Sequence, residues 1–385
     1  MAQATQPLLY ICRSCRQSLQ NGSLFSRSFS TTRVQQKVIP SFQPTGHGEL
    51  DQLLLSFREK VFTPAALEPQ HRKLLYKPSK HEALVAEPGV TVTMSDGEEI
   101  RLRPMDPFDR PSVKQSVRTI AKVFSEEKAD VVWNNLAPWL NGMRMSRMPL
   151  PGFFWAKITR KACEIGKERF ILSCIDRSED TNFTLRKQGV TYELMLGFHK
   201  RAADHGFAGP ELASAWNRAQ KVVRMLDDEL SGGYKLKPDE VDPRKDPLVL
   251  SVLTELAAAT ALESGGDPAT VVDYARKMLF LAQQEKPSIP GLEQHREDVR
   301  ARAESNHILE NLLPLQNAIS LALQIDAIKA SELGQQLESH LRVVEPKVKE
   351  TVQKLREVSD GQKRRGELMY EQLAGQEGGE ASEES

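Results

Sequence analysis

Met143-Arg-Met-Ser-Arg147 and Phe153-Phe-Trp155-Ala-Lys157, with Arg160-Lys161 after them, place five cations and three aromatic rings within 19 residues. Lys and Arg side chains neutralise phosphates, and exposed aromatic faces stack on bases for about 1–3 kcal/mol each. The chemistry open to this stretch is capture of a polyanionic strand by Arg144, Arg147, Lys157, Arg160 and Lys161, with Trp155 as a stacking platform. Phe153, Phe154 and Trp155 equally suit the core of a helical hairpin, the commoner use of three adjacent rings. Arg186-Lys187 and Lys200-Arg201 bracket a later helical stretch, and Arg218, Lys221 and Arg224 recur every three residues, as neighbours on one helical face do. Together these cations could line a continuous basic groove, although a solvated helix face accounts for any one of them alone.

Catalytic patterns are missing. The chain has no glycine-rich phosphate loop, nucleophile elbow or HExxH pair, and its eight histidines, His199 and His205 among them, are scattered. Cys12-Arg-Ser-Cys15 has metal or redox spacing, but a zinc site needs a second pair, and Cys163 and Cys174 stand alone. Asp227-Asp-Glu229 ends a helix without further oxygen ligands in an orderly loop. The sequence therefore predicts no enzyme, no metal site and no cofactor.

The first 48 residues contain no Asp or Glu, whereas Arg13, Arg16, Arg27, Arg33 and Lys37 sit among Ser, Thr and Gln. That is the composition of a mitochondrial presequence. Phe25-Ser-Arg-Ser-Phe-Ser-Thr-Thr-Arg33 resembles the processing sites of imported, especially fungal, mitochondrial proteins, which places cleavage near Phe29–Ser30 and removes the Cys12/Cys15 pair. The apolar run Pro7–Cys12 is too short for a secretory core. Leu248–Leu262, interrupted by Glu255, falls short of the roughly 20 apolar residues of a span. The expected address is the mitochondrial matrix, with no membrane span.

Net neutrality conceals a division of charge. Residues 101–225 hold 22 Lys and Arg against 13 Asp and Glu, net +9, whereas residues 226–385 hold 19 against 30, net −11. Such asymmetry fits a polyanion-binding surface beside a protein-binding one, or two regions that attract each other internally.

The elements that must carry these residues are mainly helical. The expected order is a presequence over 1–29 and an extended arm with one β-hairpin over 30–108. A helical array over 109–290 follows, then long helices over 291–365 and a disordered acidic tail over 366–385. Val90–Met94 and Glu99–Arg103 alternate around Ser95-Asp-Gly-Glu98, a hairpin signal that puts Arg101 and Arg103 on one face. Gly and Pro divide the array into helix pairs at 152–164/167–176, 190–204/211–230 and 247–262/268–284. The expected fold class is an irregular, α-solenoid-like array of helical hairpins, whose core arises from stacking.

Gly189-Val-Thr-Tyr-Glu-Leu-Met-Leu196 with Lys200, and Pro247-Leu-Val-Leu250 through Gly265 to Ala275-Arg-Lys-Met278, resemble degenerate pentatricopeptide repeats, and the pair beginning at Gly152 is similar in outline. Tetratricopeptide repeats are close in pattern. The resemblance covers about 130 of 385 residues and implies binding of single-stranded RNA through polar side chains on first helices. Leu194 stands near the expected reader position, and the second repeat offers mainly Ser251, so backbone binding or ribosome docking is expected instead of base-by-base reading. The resemblance thus implies a non-catalytic factor of mitochondrial gene expression, with mitochondrial RNA or the mitochondrial ribosome as partner and protein contacts through the acidic C-terminal region. The alternative is a tetratricopeptide-like assembly factor for a respiratory complex that binds protein alone.

Overall fold

The computed structural model describes residues 38–232, 242–282, 296–359 and 361–383, with side chains to residue 375. The presequence and its cleavage site lie outside the described residues. The fold is mainly α-helical with one antiparallel β-hairpin.

Helix α1 (Gly48–Phe57) continues through a wider π turn, Arg58–Phe62, into Thr63–Ala66. Two short helices follow, α2 (Pro69–Tyr76) and α3 (Pro78–Val85), each opened by Pro in its first turn. The expected arm does not stand apart from residue 38 onward. Phe57 and Phe62 are fully buried, with Phe57 edge-on to Trp139 at 5.8 Å, and the Phe62 ring lies over Gly142, where any Cβ would fall 2.3 Å from it. Asn135 fixes the entering chain by exchanging 2.8 Å hydrogen bonds with the backbone of Gln43 in both directions. Those rings bury too much apolar surface for a free arm.

Strands β1 (Thr91–Thr93) and β2 (Glu99–Arg101) pair with Val92 opposite Ile100, and Met94 donates to the Glu98 carbonyl at 2.8 Å. Arg58 grips Glu98 at 2.5 and 2.7 Å, tying the hairpin to the π turn.

Next come α4 (Val113–Glu126), α5 (Asp130–Asn134) and α6 (Leu136–Met145). Pro111 falls before α4 and not in its first turn; Ser112 is the residue whose carbonyl accepts from Ser116. The helix pairs are α7 (Gly152–Glu164) with α8 (Glu168–Asp176), α9 (Val190–Ala203) with α10 (Gly209–Asp227), and α11 (Pro247–Ser264) with α12 (Pro268–Ala282). Asp246 caps α11 by accepting from the Leu248 amide at 2.9 Å, and Asp267 does the same for Ala269 at 3.0 Å.

Two 27-residue helices follow, α13 (Glu297–Leu323) and α14 (Glu332–Val358), then α15 (Arg365–Glu383). The first helices of the pairs touch in order, α4 on α7, α7 on α9, α9 on α11 and α11 on α13, with α14 and α15 packed on α13. α11 is long and apolar enough to cross a membrane by length and composition, but every side chain from Leu248 to Ala259 is buried against these neighbours.

The acidic C-terminal segment differs from the expected disorder. Its composition, averaged over 366–385, hides Met369, Tyr370 and Leu373, which share one helical face; Met369 is buried, and the Gly366 amide donates to Asn306 at 2.9 Å.

Candidate nucleic-acid interface

Trp155 is 6% exposed. Its ring meets Phe154 and Phe183 edge-on at 5.5 and 4.9 Å, and the Lys187 ammonium sits 5.2 Å above it. The stacking role expected for Trp155 is therefore corrected: the ring is core, and burial lowers the pKa of Lys187. The aromatic that α7 leaves outside is Phe153, 58% exposed, one turn before Lys157.

Most of the remaining predicted cations are taken up by carboxylates of neighbouring turns or helices. Lys161 reaches Glu164 at 2.6 Å, with Arg160 at 3.7 Å from the same carboxylate. Lys200 pairs with Asp204 at 2.5 Å. Arg201 divides itself between Glu168 at 2.7 Å and Glu211 at 2.6 Å. Arg218 also meets Glu168 at 2.6 Å, and Lys221 meets Asp176 at 2.5 Å. The three-residue spacing of Arg218 and Lys221 does put both on one face, but that face clamps α10 onto α8. Arg186 is half-buried, and its Nε and Nη1 atoms find no hydrogen-bond partner. Among the described residues, the predicted cations with no carboxylate within 4 Å are Arg144, Arg147 and Arg224, which are exposed, and Lys157, Arg186 and Lys187, which are half-buried. Arg160, Lys161, Lys200, Arg201, Arg218 and Lys221 are thus committed to internal ion pairs, which interrupts the continuous groove expected from sequence.

The +9 and −11 segments meet at polar contacts, His199 of the basic segment reaching Glu255 of the acidic one at 2.7 Å. Another pair between them runs against the segment charges, a cation of the acidic segment, Arg365, meeting Glu193 of the basic one at 2.5 Å. Arg365 also grips the buried Glu310 at 2.8 and 2.9 Å. Tyr192 donates its single hydroxyl proton to Glu310 at 2.9 Å, so His307, 2.9 Å from the same oxygen, must present Nδ1–H and keep Nε2 as an acceptor for Asn311 at 3.4 Å. Burial lowers the pKa of His307, in keeping with that neutral ring. A second buried cluster joins His199 to Glu255 at 2.7 Å and Glu255 to Asn317 at 2.7 Å. These polar seams tie α9, α11, α13 and α15 together, and their partners on different helices lie 55 to 172 residues apart, which no local pattern announces.

Cys163 and Cys174 are free thiols; burial raises both, Cys174 to about 12, which keeps them protonated and poor nucleophiles. Among the described residues no three His, Cys, Asp or Glu side chains converge as metal ligands. What sequence reading passed over is a row on α4, Lys114, Arg118 and Lys122, whose four-residue spacing was the available signal.

A family model described as mitochondrial ribosomal protein mS27 matches residues 27–372. A Neurospora crassa protein, small ribosomal subunit protein mS27, is 28% identical over 296 residues, covering 71% of this chain and 74% of its own length.

Proposed function

Given that the chain belongs to the mitochondrial ribosomal protein mS27 family, we propose that it is a non-catalytic structural component of the small subunit of the mitochondrial ribosome, working in the matrix and holding RNA by its phosphate backbone. The observation that carries this reading is the extent of the family match, which takes in every described helix from α1 into α15. A scaffold needs internal rigidity and a few free contact groups, and the division of the cations supplies both. The paired ones fix helices to one another. Arg144, Arg147, Lys157 and Arg224, with Phe153 exposed one turn from Lys157, remain for phosphates and a base. Leu194, at the reader position of the repeat, is fully buried, which favours backbone contact over base reading.

The test is sedimentation of gently lysed mitochondria through a sucrose gradient, with and without ribonuclease. Co-migration with the small ribosomal subunit, lost on ribonuclease treatment, is expected. Migration with a respiratory subcomplex, indifferent to ribonuclease, would identify a protein-only assembly factor and end this reading. We also propose that residues 1–29 act as the import signal; N-terminal sequencing of the protein recovered from mitochondria should then begin at Ser30.

A further inference from the structure

We propose that the exposed face of α4, together with Phe108 just ahead of it, is a docking surface for an RNA strand; the proposal rests on the ribosomal reading above and adds to it a site and a partner chemistry. α4 is strongly two-sided. Val117, Ile120, Ala121, Val123 and Phe124 are buried, whereas Lys114, Arg118 and Lys122 are exposed in a single row. Four helical residues advance about 6 Å along the axis, comparable to the separation of successive phosphates along an RNA strand. Among the described residues, none of the three cations lies within 4 Å of a carboxylate or donates a hydrogen bond. The helix carries one acid, Glu126, in its last turn, and Glu49 touches only the flank of the face, through Thr119 at 3.2 Å.

Several cations close to α4 are committed to acids instead. Arg58 is held by Glu98 at 2.5 Å, Lys60 by Asp109 at 2.9 Å and Lys167 by Asp130 at 2.6 Å, while Arg169 pairs with Asp130 as well. These four cations have acids opposite them, whereas the α4 row has solvent. An acidic protein surface would satisfy the row alone, but Phe108 points to nucleic acid. Its ring is 91% exposed, and its backbone is fixed on both sides, the Phe108 amide donating to Asp106 at 2.8 Å and its carbonyl accepting from Arg110 at 2.9 Å. A bare aromatic held in the turn that leads into α4, a few residues ahead of its cation row, suits an unstacked base flanking the bound phosphates.

The test measures anisotropy of a labelled single-stranded oligouridylate with the purified full chain across a KCl series. The triple variant Lys114→Gln, Arg118→Gln, Lys122→Gln should weaken binding about tenfold or more at low salt and flatten the log–log salt slope by about 2, since each single-strand phosphate contact contributes about 0.7. Arg118→Gln alone should flatten it by about 0.7. Phe108→Ala should weaken binding on the order of fivefold or more with the slope unchanged. A control that removes the same charge from exposed sites of α14, Arg342→Gln, Lys347→Gln and Lys349→Gln, should keep the wild-type slope. A triple variant with the wild-type slope and an unchanged thermal midpoint would overturn the assignment, as would equal loss in the α14 control. Sedimentation of the wild-type protein runs in parallel. If it stays with the small subunit while the α4 variant keeps its slope, the α4 surface falls and the ribosomal reading stands. If the wild type is absent from small-subunit fractions, that reading falls and takes the α4 assignment with it.

Discussion

Glu168 is 1% exposed, and its Oε1 atom receives both Arg201 and Arg218, so two cations that look solvent-facing in the sequence hold α9 and α10 against the start of α8. Removing the charge leaves two partly buried guanidiniums without their acceptor. Glu168→Gln is expected to lower stability by about 1–3 kcal/mol in urea unfolding, below the ~3–5 kcal/mol of a fully buried pair because both arginines keep some solvent. Lys200→Ala, which breaks a surface pair with Asp204, should stay within about 0.5 kcal/mol of wild type. Arg365 makes a sharper case because its two carboxylates titrate in opposite directions. Burial raises Glu193 despite Arg365, whereas burial of Glu310 is outweighed by Arg365, Tyr192 and Asn306, which lower it. A lowered folded-state pKa gives stability that is present above the unfolded value and lost on acidification. A raised one gives stability that is present below the unfolded value and lost as pH rises. In the wild type the two partly cancel across the carboxylate range. In Arg365→Met burial of both acids loses its main opposing charge, leaving Glu310 only its bonds from Tyr192 and Asn306, so the variant's urea midpoint should fall relative to wild type as pH rises from about 4 to about 7; parallel midpoints across that range would refute the seam. Charge type and spacing were readable at this scale, but which cation finds which acid was not, because the partners of Glu168 lie 33 and 50 residues away.

α9 and α7 approach closely because position 197 has no side chain: a Cβ there would fall 2.4 Å from the Cys163 sulfur. Gly197→Ala should therefore destabilise by about 1–3 kcal/mol through overpacking, seen as a lower thermal midpoint with secondary structure retained. Glu255 joins α11 to His199 of α9 and Asn317 of α13, as the charged residue of a helix otherwise apolar over that stretch except for Ser251 and Thr254. Glu255→Leu strands His199 in the core and leaves the half-buried Asn317 without its acceptor, and should cost about 3–5 kcal/mol; a neutral or stabilising result would mean that the cluster sets specificity and not stability. The helix pairs were legible in outline because their boundaries are local. Asp246, Pro247, Asp267 and Pro268 open α11 and α12 through caps and first-turn prolines that depend on adjacent residues alone. The docked C-terminal helix was not legible. Its acidity suggests an unfolded tail, and the surface on α13 that receives Met369 lies far off in sequence.

Across the whole described body, polar seams run from Tyr192 to Arg365, so the two oppositely charged segments should unfold together. All four tryptophans, Trp133, Trp139, Trp155 and Trp216, lie in the basic segment, whereas far-UV circular dichroism reports helices throughout. Their urea transitions should coincide, and separate midpoints would mean that the C-terminal helices melt independently. The match to the mS27 family extends over this same body, and the mitochondrial origin that it carries agrees with the acid-free N-terminus. By itself, the sequence determined the helical class, the hairpin, the outline of the helix pairs and the absence of known catalytic motifs. Each of these follows from periodicity, caps and residue types within a few positions of one another. Tertiary structure alone decided that Trp155 is core and Phe153 is surface, that Arg201, Arg218 and Lys221 are structural, and that Lys114, Arg118 and Lys122 are free. The physical reason is that a charge or a ring becomes a contact site only when the rest of the fold leaves it without a partner, and that partner is chosen by packing between distant segments.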